Sequence, residues 1–231
     1  MTTADRPLAL VTGGSLGLGL ALTAGLLDAG WEVLIDGRDV ATLSAAAGAL
    51  GRDGLTAIAG DVGDPQHRQA LVAAIDQKGR LDLLVNNASV LGPSPQPPLH
   101  SYPLDVLRKV YEVNVVAPLA LIQEFLPFLR RSHGVVVNLT SDAAVEGYEG
   151  WGGYGSSKAA LEQISRVLAA EESEVSVYWV DPGDMNTRMQ QEAFPGEDVS
   201  DRPPPAASVP GLLRLLAERP PSGRYQARQL A

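Results

Sequence analysis

The stretch GGYGSSKAALEQISRVLAA, residues 152–170, sets a tyrosine, Tyr154, and a lysine, Lys158, four residues apart. Ala159, Ala160, Leu161, Ile164, Val167 and Leu168 follow at helical spacing, so the pair stands at the start of a helix and on one face of it. An ordinary solvated helix face carries such pairs too, but this one has a specific chemistry open to it. A phenol titrates near ~10 and is a poor base at neutral pH. Bringing that to ~7 asks for about 4 kcal/mol of preferential stabilisation of the phenolate. An ammonium about 4 Å away, at an effective dielectric of ~20, supplies roughly that much. Tyr154 and Lys158 are therefore a candidate proton donor and acceptor, provided a reacting group lies within reach.

Composition narrows the setting. The chain has no cysteine, which excludes disulfides, zinc–thiolate sites and thiol nucleophiles. His67, His100 and His133 are scattered without metal-ligand spacing and read as surface or loop residues, so no metal is expected. A formal charge of -9 argues against nucleic acid or an anionic membrane as a main partner. No run approaches ~18 consecutive apolar residues, so nothing is expected to span a bilayer. The N-terminal stretch MTTADRPLALVTGG has no basic segment followed by a long apolar one, and a cytoplasmic location is the expectation.

The elements that must position the pair are legible as alternation. Apolar runs at Leu8–Thr12, Trp31–Asp36, Leu55–Gly60, Leu81–Asn86, Gly134–Thr140 and Val175–Asp181 read as strands buried on both faces. Helical patterns fall between them at 17–29, 39–50, 65–77, 104–131 and 155–171. Strand–helix alternation predicts an α/β fold, a single doubly wound parallel sheet flanked by helices, in one domain over 1–231. LGPSPQPPLHSYP, residues 91–103, holds five prolines and cannot be regular structure; FPGEDVSDRPPP, 194–205, is similarly broken. Both follow strands on the side where open α/β sheets bind ligands, so 91–103 and 185–205 are expected to wall a substrate pocket, a plain surface loop being the alternative.

LALVTGGSLGLGLALTAGLL joins the first strand to the first helix. Gly13, Gly17 and Gly19 fall where a tight turn, close approach of a pyrophosphate and helix–strand packing need missing side chains. Gly14 adds turn freedom. The helix start then offers free N–H groups to phosphate oxygens. The spacing, T-G-x-x-x-G-x-G from Thr12 to Gly19, resembles the fingerprint of the short-chain dehydrogenase/reductase family. Asp61-Val62 resembles that family's adenine-side Asp. Asn86-Asn87-Ala88-Ser89 resembles its N-N-A-G signature, with Ser89 in place of the glycine. Asn114 stands where the family has a functional Asn, and Ser141 precedes Tyr154 by the family's thirteen-residue interval. Asp181-Pro182-Gly183, with Thr187 following, resembles its P-G motif. The resemblance covers nearly the whole chain in order. EESEVSVYWV makes a tighter connection after the Tyr154 helix than the family's usual one.

The resemblance implies a Rossmann-fold oxidoreductase acting on a ketone/alcohol pair. Tyr154 would pass a proton to or from the substrate oxygen, and Lys158 would lower its pKa and bind the nicotinamide ribose. Ser141 would hydrogen-bond the substrate oxygen, and Asn114 would hold a water linking Lys158 to solvent. Cofactor contacts would come from Gly13, Ser15, Leu16, Gly17, Gly19, Asp61, Val62, Asn87, Ala88, Tyr154, Lys158, Pro182, Gly183 and Thr187. Around the second strand's end, WEVLIDGRD, the family's NAD-type acidic position falls on Gly37 and its NADP-type arginine on Arg38. Asp36 is one residue early, and alternation points it to the other face. NADP(H) is thus expected, with NAD(H) open should Asp36 come round. Tyr148, Trp151, Leu91, Tyr102, Met185 and Met189 are candidates for an apolar substrate pocket or for plain packing. By resemblance the helices 104–131 and 155–171 pair with their copies in a homodimer or homotetramer. A nucleotide sensor that binds without turnover is the competing class, and presence of Tyr154, Lys158 and Ser141 together speaks against it. A sugar-nucleotide epimerase or dehydratase needs a longer chain and a different glycine spacing.

Overall fold

The apolar runs become strands β1 (Leu8–Val11), β2 (Glu32–Gly37), β3 (Leu55–Ala59), β4 (Leu83–Asn86), β5 (Val135–Leu139) and β6 (Ser176–Asp181). A seventh, β7 (Gly223–Gln226), has the sequence GRYQ and carries no apolar signal. The structure is a computed structural model that describes residues 6–231; residues 1–5, part of the stretch read for a secretory signal, lie outside the described residues. The strands pair in the order β3-β2-β1-β4-β5-β6-β7, all parallel. Strand order reverses between β1 and β4, which opens a crevice beyond their carboxyl ends.

Nine helices accompany them among the described residues: α1 (Gly17–Asp28), α2 (Val40–Leu50), α3 (Pro65–Lys78), α4 (Leu104–Tyr111), α5 (Ala117–Ser132), α6 (Gly152–Glu171), α7 (Arg188–Ala193), α8 (Val209–Glu218) and α9 (Ala227–Leu230). Successive strand residues face opposite sides of the sheet. Ala9, Val11, Ile35, Val85 and Val137 meet Leu22 and Leu26 of α1 and Leu212 and Leu215 of α8. Leu10, Leu34, Leu84, Val136 and Val177 meet Leu71 and Ile75 of α3, Phe125 and Leu129 of α5, and Leu168 of α6. Double burial, expected of all the strands, fails at β3. It is an edge strand, and Thr56, Ala57 and Ala59 are exposed.

The single helix expected over 104–131 is two, joined by a π turn at Glu112–Val116. Taken together, Leu104–Ser132 contains an 18-residue window with a mean hydropathy of 1.4 and is long and apolar enough to cross a membrane by length and composition. The hydropathy comes from apolar residues recurring at helical spacing, not from an unbroken apolar run. Leu121, Ile122, Phe125 and Leu129 turn them into the sheet, so the segment is a core helix.

Candidate active site

The turn after β1 is held from two sides. Thr12 Oγ1 accepts from Asn87 N–H and Ala88 N–H, each at 3.0 Å. Asn87 Nδ2 donates to the carbonyls of Thr12 (2.8 Å) and Gly13 (3.1 Å). Gly13 and Gly17 take left-handed backbone angles, φ 65° and 54°. A Cβ on Gly19 would overlap the Gly13 carbonyl and the Asn87 amide, so α1 lies against the turn only because side chains are missing. No side chain caps α1, which leaves its first-turn N–H groups pointing at the crevice.

A cleft of about 390 Å³ begins at this turn. Gly13, Ser15, Leu16 and Gly17 line one end, with Arg38, Asp61 and Val62 beside them. Asn87, Ala88, Pro182, Thr187, Tyr154 and Lys158 line it as well. Of the sequence-predicted residues, Gly19, Asn114, Ser141 and Gly183 do not line it. Gly19 and Gly183 act on backbone shape instead, Gly183 with φ 74° beside the Arg228 guanidinium. Its volume, the glycine cradle and the uncapped helix start suit a phosphate-bearing dinucleotide.

Tyr154 lies in the first turn of α6, and the glycines around it have steric causes. A Cβ on Gly153 would overlap the Tyr102 ring, and one on Gly155 would meet the Ala143 carbonyl at 2.5 Å. Lys158 is buried, donates to the Leu139 carbonyl at 2.8 Å and sits 5.5 Å from the centroid of the Tyr154 ring. Its ammonium faces the ring, and burial outweighs the lowering expected of the phenol. Burial pushes Tyr154 well above the ordinary phenol value; the neighbouring Ser89 hydroxyl pulls it down, and the charges of Asp181 and Asp142 push it up. Burial also lowers Lys158 to about 8.

Asn114 sits in the π turn, fully buried, and its amide is saturated. Nδ2 donates to Val90 O (2.9 Å) and Ser157 Oγ (3.0 Å), while Oδ1 accepts from Val90 N–H (2.9 Å) and Ser89 Oγ (3.1 Å). It thus ties the loop after β4 to α6. Ser141 turns its hydroxyl into its own turn, donating to Asp142 Oδ1 (2.8 Å) and accepting from Ala143 N–H (3.2 Å).

Met185 and Met189 line the cleft, whereas Leu91 is buried against Tyr154, with Trp151 packed beside them. Tyr102 is buried against Gly153, and Tyr148 is exposed, donating to Asp142 at 3.0 Å; neither lines the cleft. His67, expected at the surface, is buried: its Nε2 meets Asp36 Oδ2 at 3.0 Å, because Gly60 leaves room for the ring. Two contributors carried little signal. Ser89 was visible only as the odd residue of its signature. Arg224 of β7 lies in no motif, yet it binds Glu162 Oε1 (2.9 Å) and the Ser141 carbonyl (3.2 Å).

Comparison with known proteins agrees with this geometry. The model of the short chain dehydrogenase family matches residues 7–198. A Pseudomonas aeruginosa rhamnolipids biosynthesis 3-oxoacyl-[acyl-carrier-protein] reductase is 39% identical over 193 residues, covering 79% of this chain and 74% of the relative. A Saccharomyces cerevisiae benzil reductase forming (S)-benzoin is 33% identical over 192 residues, covering 79% and 73%. Among solved structures, a Shigella flexneri short chain dehydrogenase complexed with NADP matches with a TM-score of 0.89 at 30% identity over 97% of both chains. An Escherichia coli one complexed with NADPH matches with a TM-score of 0.86, also at 30% identity over 97% of both. The cleft, its glycine turn and these likenesses agree: the chain belongs to the short-chain dehydrogenase/reductase family of NAD(P)-dependent oxidoreductases.

Proposed function

We propose that the chain transfers hydride between NADP(H) and a ketone/secondary alcohol pair, with Tyr154 as general acid and base. One observation carries the reading: Tyr154 and Lys158 line the same cleft as the glycine turn. When bound, the nicotinamide supplies or accepts the hydride. The Tyr154 hydroxyl, whose titration burial moves upward, begins as a donor to the carbonyl oxygen, with Ser89 beside it. Lys158, held at the Leu139 carbonyl, would bind a ribose hydroxyl and return a proton to Tyr154. Ser141 would have to leave Asp142 to hold the substrate oxygen. Any water at the π turn would hang on the Asn114 backbone, since its amide is engaged. Met185 and Met189 support 185–205 as a substrate wall, whereas no residue of 91–103 lines the cleft and Leu91 only packs against Tyr154. We take 1–231 as one nucleotide-binding domain, cytoplasmic and assembled as a homodimer or homotetramer.

Arg38 carries the cofactor preference. It is exposed at the cleft edge and has no ion pair among the described residues, so it is free for a 2′-phosphate. The NADP and NADPH complexes of the structural relatives support the same choice. The test is a panel of ketones and alcohols followed by nicotinamide absorbance, with wild type and Arg38→Asp compared in kcat/KM for each cofactor. Turnover with NADPH that moves toward NADH in the variant is the expected result. A wild type that binds NADPH but turns over no carbonyl would return the sensor reading.

A further inference from the structure

We propose that His67 sets cofactor preference by locking the Asp36 carboxylate inward, so that Arg38 alone answers the ribose 2′ position. The inference rests on the NADP(H) reading and supplies a device for it. Asp36 lines the cleft two residues before Arg38, the neighbourhood in which an acidic side chain would accept from a ribose 2′-OH. Both its oxygens are taken. Oδ1 accepts from Gly13 N–H at 2.6 Å, and Oδ2 pairs with His67 Nε2 at 3.0 Å. The Asp36 backbone carbonyl also accepts from Gly14 N–H at 2.9 Å, so the carboxylate is braced against the turn it faces.

His67 reaches Asp36 from the first turn of α3, across the end of β3. The path exists because residue 60 is glycine; a Cβ there would overlap the imidazole. Asp36 and His67 side chains are 1% and 5% exposed, so the bond between them is shielded from water. Removing the imidazole would leave Oδ2 buried without that partner, a condition relieved by turning the carboxylate into the cleft. There it would repel a 2′-phosphate and accept from a 2′-hydroxyl. His67 is thus a positioning residue, acting on preference through Asp36.

The experiment measures Kd for NADPH and for NADH by nicotinamide fluorescence on the full chain. The variants are His67→Ala, His67→Asn and the double variant His67→Ala with Asp36→Asn. In wild type NADPH should bind tighter. In His67→Ala the ratio of the two Kd values should fall by roughly tenfold or more, through weaker NADPH and stronger NADH binding together. His67→Asn, whose shorter side chain falls short of Oδ2 with less loss of volume, should move it the same way. The double variant should recover much of the wild-type ratio, because the group released carries no charge. A ratio unchanged in both single variants, or both affinities falling by one factor, overturns the role of His67 and leaves the NADP(H) reading standing. A wild type that prefers NADH overturns that reading and this inference with it.

Discussion

Burial acts on Tyr154 and Lys158 through one cause and in opposite directions, since it disfavours a phenolate and an ammonium alike. Tyr154→Phe should abolish carbonyl reduction, at least the ~10²–10⁴-fold that acid–base assistance supplies, and leave NADPH affinity nearly unchanged. Steady-state rates beside a binding titration test it, and near-normal turnover would sink the mechanism. For Lys158 the sign runs toward instability at low pH. Its folded value is about 8 against an ordinary 10.5, so between those values the unfolded chain binds more protons and stability rises with pH. Below that window the folded chain carries a buried ammonium at a cost of roughly 3 kcal/mol. Lys158→Met should therefore stabilise the protein at pH 7 by about 2 kcal/mol after losing the Leu139 bond, while turnover disappears. The melting temperature should rise by ~4–8 °C at pH 7, with the gain fading by pH ~10.5. A lower melting temperature at pH 7 would contradict this. Ser89→Ala removes the one hydrogen bond that lowers the phenol, so the pH–rate curve of alcohol oxidation should shift alkaline.

Two elements give the site its stiffness. The π turn at Glu112–Val116 aims Asn114 inward, where its four hydrogen bonds join the loop after β4 to α6. π turns gather at functional sites because the extra residue re-aims a side chain without ending the helix. Asn114→Leu would leave the Val90 amide and carbonyl and the Ser157 hydroxyl short of partners, costing about 2–4 kcal/mol. Urea unfolding should show the lower midpoint, and an unchanged one would mean the loop finds other partners. Strand β7 acts at longer range. Its Arg224 fills the space between buried Glu162 and the Ser141 carbonyl, while Arg166 holds the other oxygen of Glu162 at 2.8 Å.

Across the whole molecule, the cleft follows from topology. An all-parallel sheet whose order reverses at β1 and β4 leaves a crevice at their carboxyl ends, and every lining loop leaves the sheet on that side. The outer surface carries its own signal: Leu104 on α4, Val116 in the π turn and Val167 on α6 are large apolar side chains left exposed. These helices are the ones proposed to pair with their copies. Light scattering should give a dimer or tetramer, and Val116→Lys with Val167→Glu should reduce it to smaller species; a wild-type monomer would remove the assembly proposal.

Periodicity determined the strand–helix alternation, because a doubly buried parallel strand needs an unbroken apolar run and its covering helix a 3.6-residue stripe. The glycine turn and the Tyr154–Lys158 pair were legible because each depends on residues close in sequence. What lies far apart in the chain was not. Asp36 meets His67 across 31 positions, and Arg224 meets Glu162 across 62. β7, with GRYQ, is a strand because β6 offers it an edge; its own residues have no such pattern. Tyr154 and Lys158 were read as mutually tuned on the strength of their spacing, but spacing fixes only the face they share. The depth of the pocket decided which way each group's titration moves, since desolvation depends on everything packed around a group.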